Sequence, residues 1–294
     1  MTAHTTAPET PPVQCTVDEG ILVVTIDNPP VNALSHAVRV ALTAAAERLD
    51  DDGHLGAMVL RSTGTVFVGG ADIREFGGPR LDPLLNTVCD RLEACTKPVV
   101  AAMQGAALGG GFEIALASHV RVAAPAAVVA FPEVLLGLLP GAGGTQRAPR
   151  LCGASLALDL MLTGRKLPAA DALAAGLLDD LADDPTARAM QVARHMMAEG
   201  TPPRRARDGM ALRDVERELV AIREVAAQLS PDEAYRFARE RIVACVTAAV
   251  EHPYARGAAI EAQSFLECLA SPQREQLVQQ FFAERAARKA ARGG

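Results

Sequence analysis

Apolar residues follow two different spacings along the first 130 residues of the chain. Short apolar runs of the kind found in buried strands lie at residues 13–17, 20–26, 57–61, 98–103, 119–123 and 128–131. Between the second and third runs, apolar residues recur at helical spacing from Val38 to Leu49, with Ser35 at the N-cap position. A second helix is predicted over residues 85–95. The alternation of strands and helices predicts an α/β fold.

The pattern changes after Gly141. Helices are predicted over residues 156–162, 169–174, 187–197 and most of 207–292. Because prolines interrupt helices, the stretch Thr201-Pro202-Pro203 is the best candidate for a boundary. We therefore predict a disordered tail over residues 1–14, rich in Thr, Ala and Pro, an α/β core over 15–200 and a helical C-terminal region over 201–294.

The composition narrows the class of protein. Aromatic residues make up only 3% of the chain, with no Trp, and the formal net charge is −6, so a nucleic-acid partner is not expected. The six cysteines form no C-x-x-C pair and indicate reduced thiols in an intracellular protein. No apolar run approaches the roughly 20 residues of a membrane span, and the first residues do not resemble a signal peptide. These features predict a cytoplasmic protein without a membrane partner.

Three glycine-rich segments lie where a predicted strand ends and a helix begins. They are Phe67 to Ile73 (FVGGADI), Ala107 to Glu113 (ALGGGFE) and Leu139 to Thr145 (LPGAGGT). Glycine lets the backbone approach a ligand closely, and a helix that begins there presents free N–H groups. Such amides suit a phosphate or a negative charge that develops during a reaction. The alternative is that each segment is a tight turn in a compact fold.

Several common catalytic motifs are absent. Gly141-Ala142-Gly143 would need a third glycine at Gln146 to match a dinucleotide-binding turn. The chain has no Walker A pattern, no G-x-S-x-G and no H-E-x-x-H. Serine-hydrolase, P-loop and zinc-protease chemistry are therefore not expected.

Two glutamates stand in apolar surroundings. Glu113 lies in the first turn of a predicted apolar helix, and Glu133 precedes a run of aliphatic residues. Carboxyl groups in such surroundings have raised pKa values, and two of them at one site can hold one proton between them. Glu113 can alternatively stabilise the positive end of the helix dipole, and Glu133 can pair with Arg147 or Arg150. His119 is more readily explained as a packed residue, and Asp72 as a helix cap.

The chain resembles the crotonase, or enoyl-CoA hydratase/isomerase, superfamily in four segments. They are Asn28 to Leu34 (NPPVNAL), Phe67 to Phe76 (FVGGADIREF), Val100 to Leu116 (VAAMQGAALGGGFEIAL) and Phe131 to Leu151 (FPEVLLGLLPGAGGTQRAPRL). The resemblance runs from about residue 15 to 200. It implies the α/β crotonase fold, a spiral of ββα units, here with a helical C-terminal part.

The same resemblance implies the site. The backbone N–H groups of Ala71 and Gly110 would hold the thioester carbonyl of an acyl-CoA substrate. Glu113 and Glu133 would together position and deprotonate a water molecule, and Glu133 would protonate the α-carbon. Family members with both acids typically hydrate trans-2-enoyl-CoA to 3-hydroxyacyl-CoA in fatty-acid β-oxidation. A hydratase is therefore expected, with a Δ3-Δ2-enoyl-CoA isomerase or a non-catalytic RNA-binding relative as the alternatives.

The resemblance implies less about the coenzyme A contacts. Arg74 stands where the family usually has a basic residue, and Val31, Gly70 and Ile73 are expected beside it. A solvated surface arginine is the alternative for Arg74. Where the family often has a lysine before the Asn-Ala-Leu motif, this chain has Pro29-Pro30. The side chain that contacts the nucleotide therefore stays open.

The C-terminal third is similar to the hydratase half of the bifunctional enoyl-CoA hydratase/3-hydroxyacyl-CoA dehydrogenases. The similarity rests on Glu251 to Tyr254 (EHPY) and Phe281 to Arg285 (FFAER). No G-x-G-x-x-G follows, so we expect no NAD, no metal and no cofactor beyond the coenzyme A of the substrate. Family members are commonly trimers or pairs of trimers, so a homotrimer or hexamer is expected.

Overall fold

The computed structural model describes residues 11–75, 78–209, 212–228 and 232–292. The strands are β1 (Val13–Asp18), β2 (Ile21–Ile26), β3 (Ala57–Ser62), β4 (Val66–Val68), β5 (Val99–Met103), β6 (Ala106–Leu108), β7 (Val120–Ala123), β8 (Val128–Ala130), β9 (Leu167–Pro168) and β10 (Asp180–Leu181). The helices are α1 (His36–Asp51), α2 (Leu85–Ala94), α3 (Gly110–Ala117), α4 (Gly144–Cys152), α5 (Ala154–Thr163), α6 (Ala169–Ala174), α7 (Pro185–Glu199), α8 (Val215–Ala227), α9 (Glu233–Glu251), α10 (Tyr254–Leu269) and α11 (Pro272–Arg292). Short 3₁₀ helices cover Ile73–Glu75, Pro132–Leu136 and Ala206–Asp208.

The strands between Val13 and Leu181 form two sheets. One has the strand order β1-β2-β3-β5-β7-β10 and the other the order β4-β6-β8-β9. Each of three successive turns places one strand in the first sheet and the next strand in the second: β3 and β4, β5 and β6, β7 and β8. Apart from the end pairs β1–β2 and β8–β9, the pairing is parallel. This is the predicted spiral, since each turn then continues into a helix.

The larger sheet is covered on both faces, as a parallel sheet requires. Because successive side chains of a strand point to opposite faces, β3 divides its residues between two cores. Met58 and Leu60 join the main core with the helices, while Ala57 and Val59 face α7. On α7, the small residues Ala189 and Ala193 allow close approach to the sheet. Aliphatic and small side chains thus fill the core, as the scarcity of aromatics predicts.

The C-terminal helices close around the core. Helices α9 and α10 pack on α4, α8 and α9 pack on α5, and α11 packs on the 3₁₀ helix Pro132–Leu136. The helical character of this region was predicted correctly, although α8 begins only at Val215. None of the helices in the described part of the chain is both long and apolar enough to cross a membrane. Residues 1–10 of the predicted tail lie outside the described residues, whereas Val13 and Gln14 belong to β1, so the predicted boundary at residue 14 is wrong.

Three local predictions differ from the structure. Strands β4, β6, β9 and β10 were not among the predicted runs, because strands of two or three residues show no alternating pattern; β8, also three residues long, was predicted only from the continuous apolar run 128–131. No strand leads into the segment 139–145; the 3₁₀ helix Pro132–Leu136 precedes it, and α4 follows. Ser35 occupies the N-cap of α1 but makes no side-chain capping bond. The carboxylate of Glu75, distant in sequence, accepts from the amide of His36 instead, at 2.7 Å.

Candidate active site

The loops after β4 and β6 lie next to each other because these strands are parallel neighbours, with Val68 opposite Ala107. A Cβ atom built on Gly110 would lie 3.3 Å from the amide nitrogen of Ala71. Gly70 has φ 116° and Gly109 has φ 52°, a region that favours glycine. The two amides therefore lie side by side, and the glycines before them permit that backbone.

The carbonyl groups before the two amides fix where the N–H groups point. The carbonyl of Gly70 accepts from the amide of Leu34 at 2.9 Å, and that of Gly109 accepts from Phe112 at 2.8 Å. In a trans peptide the N–H points opposite to the preceding C=O. The N–H groups of Ala71 and Gly110 are thus directed away from these bonds. Gly110 also begins α3, where an N–H has no acceptor within the helix.

Glu113 is held on α3 with its carboxylate inside the protein, 2% exposed. Its Oε1 accepts from the amides of Ala142 and Gly144, at 2.7 and 2.8 Å. Burial raises the pKa of Glu113 to about 7, while the two amide bonds act in the opposite direction. This carboxyl therefore titrates near neutral pH and has donors that stabilise its ionised form.

Glu133 lies on the 3₁₀ helix Pro132–Leu136 in a different setting. Its Oε2 atom is enclosed and has no hydrogen-bond partner among the described residues. A Cβ built on Gly109 would lie 2.6 Å from its Oε1, so this carboxyl borders the loop before Gly110. Burial, and then the charge of Glu113, raise the pKa of Glu133 well above its usual value. Of the pair, Glu113 has two amide donors for its anion, whereas the carboxylate of Glu133 has only its own backbone amide as a donor and its Oε2 has none.

One cavity of about 750 Å³ unites these groups. Its wall includes Ala71, Gly110, Glu113 and Glu133. The basic residues on its wall are Arg39, Arg74 and Arg80, and its apolar residues include Leu135, Leu139, Phe265, Leu269 and Phe281. The cavity thus combines a polar centre, a margin where Arg39 and Arg74 pair with Glu75 and Asp72, and an apolar margin to which α10 and α11 contribute.

Of the four residues predicted to contact coenzyme A, three line the same cavity: Arg74, Val31 and Gly70. Arg74 is 80% exposed and pairs with Asp72 at 2.6 Å, and Asp72 also accepts from the Arg74 amide. Asp72 therefore caps the short turn, as predicted. Val31 and Gly70 line the cavity, and the Val31 carbonyl accepts from the Gly69 amide at 2.8 Å. The side chain of Ile73 lies outside the described residues.

Arg147 is not a partner of Glu133. Its guanidinium group is fully buried and pairs with Glu93 at 2.9 Å and with Asp90 at 2.7 Å. It also donates to the carbonyl of Ala142 at 2.9 Å. Arg150 donates to the carbonyls of Gln146 and His252, at 2.8 and 3.0 Å. The alternative that one of these arginines pairs with Glu133 is wrong. Carboxylates and a backbone carbonyl bind the guanidinium group of Arg147, and backbone carbonyls bind that of Arg150.

His119 is a packed residue, as predicted. Its ring is fully buried, and Nδ1 accepts from the amide of Val99 at 2.9 Å. Burial lowers the pKa of His119 to about 4, so the ring is neutral at physiological pH.

A third buried carboxyl group was missed by the sequence analysis. Glu261 on α10 is 2% exposed, and its Oε1 accepts from the amide of Gly143 at 2.6 Å. Burial, and then the charge of Glu113, raise the pKa of Glu261 to about 8. A signal was available, because Glu261 shares a helix face with the small residues Gly257, Ser264 and Cys268, all of them buried. An acid on such a face is inside the protein and needs partners.

Comparisons with known proteins identify the family of this chain. The family model described as Enoyl-CoA hydratase/isomerase matches residues 16–235. The "Peroxisomal bifunctional enzyme" of Danio rerio is 41% identical over 276 residues, which cover 93% of this chain and 38% of the relative. The "Probable enoyl-CoA hydratase" of Bacillus subtilis (strain 168) is 38% identical over 179 residues, 58% of this chain and 69% of the relative. The chain thus spans about two fifths of the bifunctional relative.

Solved structures give the same result. An enoyl-CoA hydratase/isomerase from Pseudoalteromonas atlantica T6c superposes with a TM-score of 0.67 at 26% identity, over 93% of this chain and 97% of that one. An enoyl-CoA hydratase from Mycobacterium tuberculosis H37Rv gives a TM-score of 0.60 at 31% identity, over 79% and 89%. With a family model that matches most of its length and a fold shared with these enzymes, the chain belongs to the enoyl-CoA hydratase/isomerase family.

Proposed function

We propose that this chain is an enoyl-CoA hydratase, which adds water to trans-2-enoyl-CoA to give 3-hydroxyacyl-CoA. The observation that carries the proposal is the cavity in which two enclosed carboxyl groups and two adjacent backbone amides meet. The names of the relatives, which include an enoyl-CoA hydratase and a bifunctional enzyme, support the same reaction. Because the chain spans only part of the bifunctional relatives, the proposal concerns the hydration step alone.

In the proposed reaction the thioester carbonyl accepts from the N–H groups of Ala71 and Gly110. These donors stabilise the negative charge that builds on the carbonyl oxygen when the β-carbon is attacked. Since backbone amides of a packed loop are already oriented, no reorganisation is needed as the charge develops. The amides thus lower the energy of an enolate-like transition state more than that of the substrate.

The two acids divide the proton transfers. Glu113 takes a proton from water, because the Ala142 and Gly144 amides stabilise its anion. Glu133 gives its proton to the α-carbon, because its enclosed, unpartnered oxygen disfavours ionisation. The oxygen of water bonds to the β-carbon as the double bond is lost. One proton then passes from Glu113 to Glu133, which restores the starting state, so the sum is one water added.

The cavity margins suggest how the rest of the substrate binds. Arg74, although paired with Asp72, is mostly exposed and can turn toward a coenzyme A phosphate, with Arg80 beside the same cavity. Val31, Gly70 and Ile73 would contact the coenzyme near the thioester. The apolar margin, with Phe265 and Leu269, suits a fatty acyl chain.

The assembly and the cellular location are proposals as well. We keep the homotrimer or hexamer as the assembly and the cytoplasm as the location. Several relatives carry the word peroxisomal in their names, so the peroxisome is the alternative compartment. The non-catalytic RNA-binding alternative is opposed by the net charge of −6 and by the enclosed pair of acids.

The deciding experiment is the hydration of crotonyl-CoA, followed as the loss of the conjugated enoyl-thioester absorbance. The wild type should turn over, and Glu113→Gln and Glu133→Gln should each lower kcat by about 10² to 10⁴-fold, the range for general acid–base groups. Glu218→Gln is the matched control, because Glu218 is also buried but caps α5 through the Ala154 amide, 2.7 Å away. An isomerase would leave crotonyl-CoA unchanged and would generate the absorbance from a 3-enoyl-CoA.

A further inference from the structure

The turn that begins α4 donates its amides to two different carboxylates. The N–H groups of Ala142 and Gly144 point to Glu113, at 2.7 and 2.8 Å. Those of Gly143 and Thr145 point to Glu261, at 2.6 and 3.0 Å. The hydroxyl of Thr145 also donates to Glu261. Four consecutive residues thus alternate between an acid of the core and an acid of the C-terminal region.

This alternation makes the two carboxylates dependent on each other. Gly143 has φ 94°, a value that favours glycine and that turns the amide of Gly144 away from the amide of Gly143. A Cβ at this position would also lie 2.8 Å from the hydroxyl of Tyr254 on α10. If Glu261 is removed, the Gly143 and Thr145 amides lose their acceptor inside the protein, and the turn has to shift to find another. The amides that serve Glu113 belong to the same turn and would shift with it.

We propose that Glu261 is a positioning residue for the hydration reaction, which holds the 142–145 turn so that Glu113 keeps its two amide donors. The inference rests on the function proposed above. Glu261 acts through the turn, while α10 reaches the cavity itself through Phe265 and Leu269. The C-terminal helices would therefore support the chemistry through Glu261 and also form part of the apolar margin of the cavity.

The charge of Glu261 provides a readout that a purely structural role would lack. The titratable or charged groups that face it are Glu113 on α3, Glu133 on the 3₁₀ helix, Arg147 on α4, Cys245 on α9 and Tyr254 on α10 itself. The negative charge of Glu261 is one cause of the raised pKa of Glu133, after burial and Glu113. Removing that charge lowers the Glu133 pKa, so the acid loses its proton at a lower pH.

The test compares Glu261→Gln with wild type and with Glu218→Gln in the full chain. Glutamine keeps the size of the side chain, but Gly143 and Thr145 donate to different oxygens of Glu261, and glutamine replaces one of these oxygens with an NH₂ donor, so one amide loses its acceptor. We expect kcat for crotonyl-CoA to fall by about tenfold with KM nearly unchanged, as for a misplaced catalytic group. The alkaline limb of the pH profile should move to lower pH. Glu218→Gln should keep the wild-type profile and kcat.

A second, milder variant tests the same contact in case Glu261→Gln does not fold. Thr145→Val removes the hydroxyl that donates to Glu261 and keeps both amide contacts, so a smaller fall in kcat in the same direction is expected. Wild-type kcat and pH profile in both variants would overturn the proposal. So would a loss in Glu261→Gln no larger than that in Glu218→Gln.

A measurement without turnover separates this inference from the proposed function. In protein labelled with carbon-13 at glutamate carboxyls, the Glu113 signal is assigned from its absence in Glu113→Gln. Its titration should differ between wild type and Glu261→Gln whether or not crotonyl-CoA is hydrated. A wild type without turnover would refute the hydratase proposal alone, whereas an unchanged Glu113 titration would refute the positioning role.

Discussion

Glu113 and Glu133 are the same residue type in two opposite settings at one cavity. Two backbone amides meet the carboxylate of Glu113, whereas the Oε2 of Glu133 is enclosed without a donor. Hydrogen bonds to an anion favour ionisation, and burial without them opposes it. The pair is thereby divided into a base and an acid at a pH where two free glutamates would both be ionised.

The pH dependence of kcat/KM follows from this division. Activity requires Glu113 ionised, and since its pKa is about 7, activity should fall as the pH drops through that value. It requires Glu133 protonated, so activity should fall again as the pH rises through the higher pKa of Glu133. A bell-shaped profile measured with crotonyl-CoA between about pH 5 and 10 would agree. A profile that is flat on the acid side would contradict the assignment of Glu113 as the base.

At the scale of elements, the geometry depends on where strands stop and helices begin. Glycines end β4 and β6, and α3 and α4 present N-terminal amides to a ligand position and to Glu113 respectively. The sequence predicted the glycine loops, α3 and both acids, because glycine runs and an acid in an apolar helix are local signals. It could not predict β4 and β6, which overlap the glycine-rich segments and have three residues each, or the partners of Glu261, which are more than 110 residues away.

Gly110→Val tests the amide pair at this scale. The added Cβ would lie 2.5 Å from Cδ2 of Leu85 and 3.3 Å from the Ala71 nitrogen. The valine side chain would therefore fill the space toward which both N–H groups point. Loss of one such donor lowers kcat by about 10² to 10³-fold. We expect at least that loss in the crotonyl-CoA assay, with the protein still folded by circular dichroism.

Gly53→Val is the control for that variant. A Cβ built on Gly53 meets nothing within 4 Å, and this glycine precedes β3 at a surface turn. It should keep wild-type activity. Equal activity of Gly110→Val and wild type would contradict the placement of the thioester carbonyl at the two amides.

At the scale of the whole molecule, three buried carboxyl groups carry a stability penalty when they ionise. The pKa values of Glu113, Glu133 and Glu261 all lie above those of an unfolded chain, because burial disfavours the charged form. A group with a raised pKa in the folded state stabilises the fold below its unfolded pKa, and this contribution is lost as the pH rises through the folded value. These three groups therefore lower the free energy of unfolding near neutral pH.

The variant Glu133→Gln should show how much stability the raised pKa of Glu133 costs. Because Oε2 of Glu133 has no partner to lose, a neutral glutamine removes the ionisation penalty at little other cost. Its Tm should exceed that of wild type at about pH 8 and match it near pH 4.5. A pKa difference of one between the folded and unfolded states corresponds to about 1.4 kcal/mol, or roughly 2 to 3 °C in a chain of this size. A thermal-melt series with the same difference at both pH values would contradict the penalty.

The divided amides of the α4 turn also bear on how the protein is made. The acceptor of the Gly143 amide stands 118 residues further along the chain. A nascent polypeptide leaves the ribosome with the glycine loops and both acids well before α10 emerges. Until residue 261 is free to fold back, the turn has only one of its two carboxylates. Under the proposed positioning role, a product interrupted before α10 would carry the two acids and the two amides of the reaction but an incomplete support for Glu113.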